Sequence, residues 1–85
     1  MDELDGWRLA SINGCDCLMT SYKLSSFTQA MDLAEKISEI AEMQNHHPRL
    51  VIEWGLLEIY YWTHTSHGIT ELDLAAAKSV ADLQK

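Results

Sequence analysis

With 85 residues, 47% of them hydrophobic and 22% charged, the chain reads as one small globular domain over 1–85, which excludes disordered, fibrous and multidomain organisation. Thirteen acidic against six basic side chains leave a net charge of −7, which repels phosphate backbones and anionic headgroups and argues against direct nucleic-acid or membrane-surface binding. Folding at this length hides only about 60–65% of the unfolded surface, so self-association is expected.

Met1-Asp2-Glu3 opens on acid rather than on a basic region before an apolar run, and charge interrupts every apolar stretch. Neither an export signal nor a membrane span is expected, and the cytoplasm is the expected location. Cys15 and Cys17 stand two apart on an expected strand, where a disulfide between them is badly strained, so reduced thiols are expected. One Cys-x-Cys pair also supplies only two of the four ligands of a closed metal site.

Trp7 to Ile12 and Leu18 to Leu24 partly alternate in polarity around Asn13-Gly14, a pair suited to the positive φ angles of a tight turn, which predicts a β-hairpin. From Ser26, an N-cap residue, apolar side chains recur at Phe27, Ala30, Met31, Ala34, Ile37, Ile40 and Ala41, the spacing of one helical stripe. The helix must stop near Gln44-Asn45, because Pro48 cannot continue it and pushes His47 toward extended geometry. Leu50 to Trp54 then reads as a strand, Gly55 as a turn, and Leu56 to His64 as a further strand rich in branched and aromatic residues. Both faces of that last strand are substantially apolar, so a sheet covered on both sides is one outcome. Thr70-Glu71-Leu72-Asp73 has capping-box spacing and opens a second helix running to about Leu83. The order is β-β-α-β-β-α.

All four histidines fall between positions 46 and 67: the adjacent pair His46-His47, then His64 and His67. Imidazole titrates closest to neutrality, so two of them around one substrate suit an acid and a base. A zinc site is a weaker reading, since adjacent histidines diverge in direction and no carboxylate stands at an established ligand offset from both clusters. Surface turn residues remain the plain alternative for each histidine taken singly. Glu42, one turn before the pair, is either a partner that orients an imidazole or a solvated helix carboxylate. Asp73 is first of all a helix cap.

Glu42-x-x-x-His46-His47-Pro48, then Trp54, His64 and Asp73, together with Thr63-His64-x-x-x-Gly68-Ile69-Thr70-Glu71-Leu72-Asp73, resembles the signature of the pterin-4a-carbinolamine dehydratases. Gly6-Trp7 and Phe27 extend the likeness over nearly the whole chain. The resemblance implies an α+β fold, a four-stranded antiparallel sheet with two helices packed on one face. It implies loss of water from a 4a-hydroxytetrahydropterin to give quinonoid dihydropterin, the step that recycles the cofactor of aromatic amino acid hydroxylases. No metal and no other cofactor is implied. His46, His47 and His64 would be the catalytic residues, the first two as the acid–base pair with His47 the more important, and His64 orienting the pterin. Asn45, Trp62, Thr63 and Thr65 would join the three histidines in holding the substrate, Trp7 would stack on the flat ring, and Glu42, Pro48 and Asp73 would support the site.

The expected partners are the pterin itself and further copies of the chain, as a homodimer or homotetramer. Relatives that act as dimerisation partners of a transcription factor make a non-catalytic pterin-binding or protein-interaction module the alternative, its protein partner unidentified. The sequence departs from the family pattern at Thr65, where an acid is common, at His67, where a small residue is usual, and at Ile52-Glu53-Trp54-Gly55.

Overall fold

The computed structural model describes residues 6–83. Two strands, β1 (Arg8–Ile12) and β2 (Cys15–Lys23), are joined by Asn13 and Gly14 with φ of 52° and 80°. These are the paired positive angles of a type I′ turn, which fits the right-handed twist of the strands it joins. The helix α1 (Phe27–Gln44) starts at Ser26, whose side chain accepts a hydrogen bond from Gln29 N at 3.0 Å. It is followed by β3 (Arg49–Glu53), β4 (Leu56–Tyr61) and α2 (Glu71–Asp82). The sheet is antiparallel throughout, in the order β1-β2-β4-β3.

Alternation along β4 sorts its side chains cleanly. Leu57, Ile59 and Tyr61 are fully buried and meet Leu33, Ala34 and Ile37 of α1 and Ala76 and Val80 of α2 in one cluster. Both helices therefore cover the same face of the sheet. Leu56, Glu58 and Tyr60 point to the other face and stay partly exposed, so among the described residues no second layer covers it. Ala76 and Ala77 have no exposed surface, and their small side chains let α2 sit close to the sheet. Gln44 Nε2 donates to Ser79 Oγ at 3.0 Å and ties the end of α1 to α2.

One expectation about the sheet is corrected. The apolar run predicts a strand as far as His64, but β4 stops at Tyr61. Thr63 N–H donates to Gly68 O at 2.8 Å, closing a short loop in which residues His64–Ser66 form a 3-10 turn. A backbone group bonded within a loop cannot extend a strand, so local closure overrides β propensity here.

Tyr61 lies at the centre of the core with its hydroxyl unpartnered among the described residues. Burial, and to a lesser degree the charge of Asp73, push its phenol up to about 12. The folded state thus keeps the proton over a range where the unfolded chain loses it. The stabilising difference is complete below pH 10 and is lost as pH rises through 12, amounting to about 2–3 kcal/mol. Tyr61→Phe is expected to flatten that alkaline slope in chemical denaturation while leaving stability at pH 7 within about 1 kcal/mol of the parent, because the hydroxyl it removes is unpaired. A parent slope that survives in the variant assigns the titration elsewhere.

Candidate active site

The end of α1 delivers the histidine pair. Asn45 adopts a left-handed conformation with φ of 51°, and His46 N–H donates to Ala41 O at 3.1 Å, the closing bond of a Schellman-type helix end. Pro48 then carries the chain into β3. The consequence is that His46 and His47 leave the helix end in different directions, and each meets its own carboxylate.

His46 turns inward. Its ring stacks on Tyr61 at 5.8 Å between centroids and 17° between planes, and its Nε2 lies 2.6 Å from Asp73 Oδ1. Asp73 is completely buried. Its second oxygen, Oδ2, accepts from Thr70 N at 2.8 Å and from Thr63 Oγ1 at 2.8 Å. Thr63 and Thr70 hydroxyls also bond each other at 2.6 Å. Every donor around the carboxylate is thereby used, as burying a charge requires. Asp73 is a capping residue, as its sequence position indicates, and it is also the partner of a histidine 27 positions earlier. A carboxylate only accepts, so in the neutral imidazole of His46 the proton sits on Nε2 and Nδ1 is the nitrogen with the lone pair.

His47 turns outward, with Nε2 2.5 Å from Glu42 Oε2. The same tautomer follows. Here, however, the two side chains are 55% and 73% exposed, so water competes for the pair and its contribution to stability is small. Glu42 orients an imidazole, whereas Asp73 both orients one and is locked into the fold.

The loop closed by Thr63 and Gly68 supplies the third histidine. His64 is exposed on the 3-10 turn, its ring 4.9 Å from that of Trp62. His67 ends the turn with φ of 53° in the left-handed region, where a branched or bulky side chain is disfavoured and glycine is not.

These pieces enclose a cleft of about 430 Å³ lined by Asn45, His46, His47, Thr63, His64, Thr65 and Leu72. Six of the seven are residues that the sequence singles out for the site. Leu72 is the addition; it is 53% exposed in the first turn of α2, and an apolar side chain left in water beside a capping box is the signal that marks it. Tyr61, beneath His46, is the other residue that the sequence reading misses. Trp62 and Glu42 are not among the lining residues, and each stands beside a histidine, His64 and His47 respectively. Pro48 is half-buried and acts through the direction it gives the chain.

Trp7 is corrected. Its ring packs on the core, 6.2 Å from Tyr61 and tilted by 43°, and is not part of the cleft wall. Trp7 packs against both clusters of the core, and a large aromatic in so small a chain fills much of it.

Three imidazoles at one cleft, two of them fixed by carboxylates through Nε2, make a site suited to moving protons to and from a bound molecule near neutral pH. Among the described residues no helix is long and apolar enough to cross a membrane.

Comparison with known proteins bears on the family and the fold. The family model for pterin 4 alpha carbinolamine dehydratase matches residues 1–83. A relative from Hahella chejuensis, named provisionally as a pterin-4-alpha-carbinolamine dehydratase, is 41% identical over 78 residues, covering 92% of this chain and 70% of its own. Pterin-4-alpha-carbinolamine dehydratase 2, mitochondrial, of Arabidopsis thaliana is 35% identical over 99% of this chain and 46% of its own. Among solved structures, a transcriptional coactivator/pterin dehydratase from Brucella melitensis superimposes with a TM-score of 0.82 at 27% identity, covering 95% of this chain and 84% of that one. A pterin dehydratase-like RuBisCO assembly factor of the alpha-carboxysome shares the fold at a TM-score of 0.74 and 18% identity, over 95% of this chain and 92% of its own. The chain belongs to the pterin-4a-carbinolamine dehydratase family.

Proposed function

We propose that this chain removes water from a 4a-hydroxytetrahydropterin to give quinonoid dihydropterin, with His46 and His47 as its acid–base pair and His64 holding the ring. The C4a–O bond breaks and the oxygen leaves as water with a proton from the acid. The N5 proton passes to the base, and the electrons left on N5 form the new double bond to C4a. Both transfers suit groups that titrate near neutrality. Backbone groups of residues 62–65 meet the amide-like edge of the pterin, which makes recognition tolerant of Thr65 in place of an acid.

The observation that carries this reading is that His46, which lines the cleft together with His47 and His64, is held from behind by the buried Asp73. A fully buried carboxylate with every donor satisfied costs more to build than a surface turn requires, and what it fixes is the tautomer of one imidazole.

The test is the rate at which quinonoid dihydropterin forms from 4a-hydroxytetrahydropterin generated in situ, with and without the protein. Acceleration is expected at substoichiometric protein. Folded protein that gives no acceleration rejects the dehydratase reading and leaves the alternative, a pterin-binding or protein-interaction module, to be sought by binding.

A further inference from the structure

One face of the His46 imidazole lies against an aromatic ring that the proposed chemistry does not use. Tyr61 ends β4, where its backbone pairs with Leu18 of β2, and its side chain is completely buried. Its ring stands 5.8 Å from the imidazole between centroids and 17° from its plane, within the range of offset-stacked aromatic pairs. Trp7 packs on the same tyrosine at 6.2 Å and 43°, and Leu33 and Ile37 of α1 belong to the core cluster around it. Sheet and core therefore hold the tyrosine ring still, since a close-packed interior leaves it no space to follow a moving neighbour. Its hydroxyl has no hydrogen-bond partner among the described residues, so what Tyr61 presents to the imidazole is the ring.

The bond from Nε2 to Asp73 leaves one motion of His46 poorly restrained. In an imidazole Nε2 lies nearer than Nδ1 to the line through Cβ and Cγ, so rotation about that line displaces Nδ1 more, and the wells of this torsion are broad. We propose that Tyr61 is a positioning residue, a fixed aromatic platform that sets the plane of the His46 imidazole and with it the direction of the Nδ1 lone pair. The proposal rests on the dehydratase reading for the use made of Nδ1. Asp73 decides which nitrogen carries the proton, acting at the ring's edge, and Tyr61 decides where the other nitrogen aims, acting on its face. The end of β4 supports both contacts, because Thr63, two residues after Tyr61, donates to Asp73 Oδ2 at 2.8 Å. Proton transfer needs its two atoms within hydrogen-bond reach, and a displacement of about 1 Å can cost 10²-fold.

The experiment measures kcat and KM for dehydration, and the ¹H–¹⁵N spectrum of the imidazoles, in the parent and in Tyr61→Leu and Tyr61→Phe. Leucine keeps apolar bulk without a ring, and phenylalanine keeps the ring without the hydroxyl. Tyr61→Leu is expected to lower kcat by about tenfold with KM within about twofold of the parent, and to broaden the His46 Nε2–H resonance. Tyr61→Phe is expected to recover most of the rate and the sharp resonance. Melting temperatures confirm the folds; if the leucine variant melts below the assay temperature, Tyr61→Met replaces it, a flexible side chain that fills an irregular gap without a ring. A folded ringless variant that keeps kcat within about twofold of the parent overturns the proposal, as does a phenylalanine variant as slow as the ringless one. A fall in kcat with an unchanged His46 resonance also overturns it, since the effect then lies elsewhere. If the parent gives no dehydration, the dehydratase reading fails alone when the ringless variant still broadens that resonance, and both fail when the resonance stays as in the parent.

Discussion

Asp73→Asn is expected to leave the protein folded and to lower the dehydration rate by about 10²–10⁴-fold, the range associated with positioned acid–base groups and with a histidine held in the wrong tautomer. The asparagine carbonyl takes the place of Oδ2 and still accepts from Thr70 N–H and Thr63 Oγ1. The amide NH₂ then occupies the place of Oδ1 and faces His46 Nε2 as a donor. Two donors cannot pair, so the proton of His46 moves to Nδ1 and the nitrogen left with a lone pair is the one turned toward the new amide. A substitution of nearly the same shape thus inverts which ring nitrogen can work.

The fold bears a smaller cost, about 1–3 kcal/mol for one charge-assisted hydrogen bond replaced by a neutral one. Asp73→Ala is less informative, because it orphans three donors in a buried site and removes a large part of the roughly 5–15 kcal/mol that holds a typical domain together. Glu42→Gln is the matched control: it makes the same chemical change at the exposed His47 pair, where water replaces the lost partner, and a drop of no more than about tenfold is expected. Single-turnover rates and thermal melts measure the two effects, and ¹⁵N chemical shifts of the imidazoles report the tautomer directly. An Asp73→Asn variant with the inverted tautomer and a rate within about threefold of the parent shows that the pair is structural only.

The features that the sequence makes legible are those set by neighbours in the chain. Asn13-Gly14 requires positive φ, Ser26 has a donor three residues on, Pro48 forbids helix, and Thr70 with Asp73 closes a capping box; each appears in the structure where the residues demand it. The failures are long-range. Asp73 is read as a cap because one of its oxygens does that work, and nothing local shows that the other reaches His46 across the sheet end. The run Trp62-Thr63-His64 favours strand by composition, yet its bond to Gly68 makes it a loop. Trp7 is read as a stacking residue, and nothing local shows that its ring packs against both clusters of the core. The histidine cluster itself is visible because its motif is compact, while the inward and outward turns of its two members depend on where α1 ends.

That difference in direction shapes the second expectation, loss of all but background dehydration in a His46→Gln/His47→Ala double variant. On the proposed reaction, each imidazole removed forfeits one of the two proton transfers, and each transfer contributes about 10²–10⁴-fold. The two substitutions are not equivalent for the fold. His47 is more than half exposed, so His47→Ala costs little stability and isolates the chemistry. His46 is 11% exposed, stacked on Tyr61 and bonded to a buried carboxylate, so alanine there leaves Asp73 Oδ1 unpaired at a cost of about 1–3 kcal/mol. Glutamine keeps a donor near Oδ1 and removes the titrating group, which separates the loss of a base from the loss of a contact. His47→Ala alone should therefore lower kcat with an unchanged melting temperature, and His46→Gln should lower kcat with at most a modest shift. A folded double variant that retains a rate within about threefold of the parent would remove both histidines from the reaction and leave His64 as the only imidazole of the cleft able to carry it.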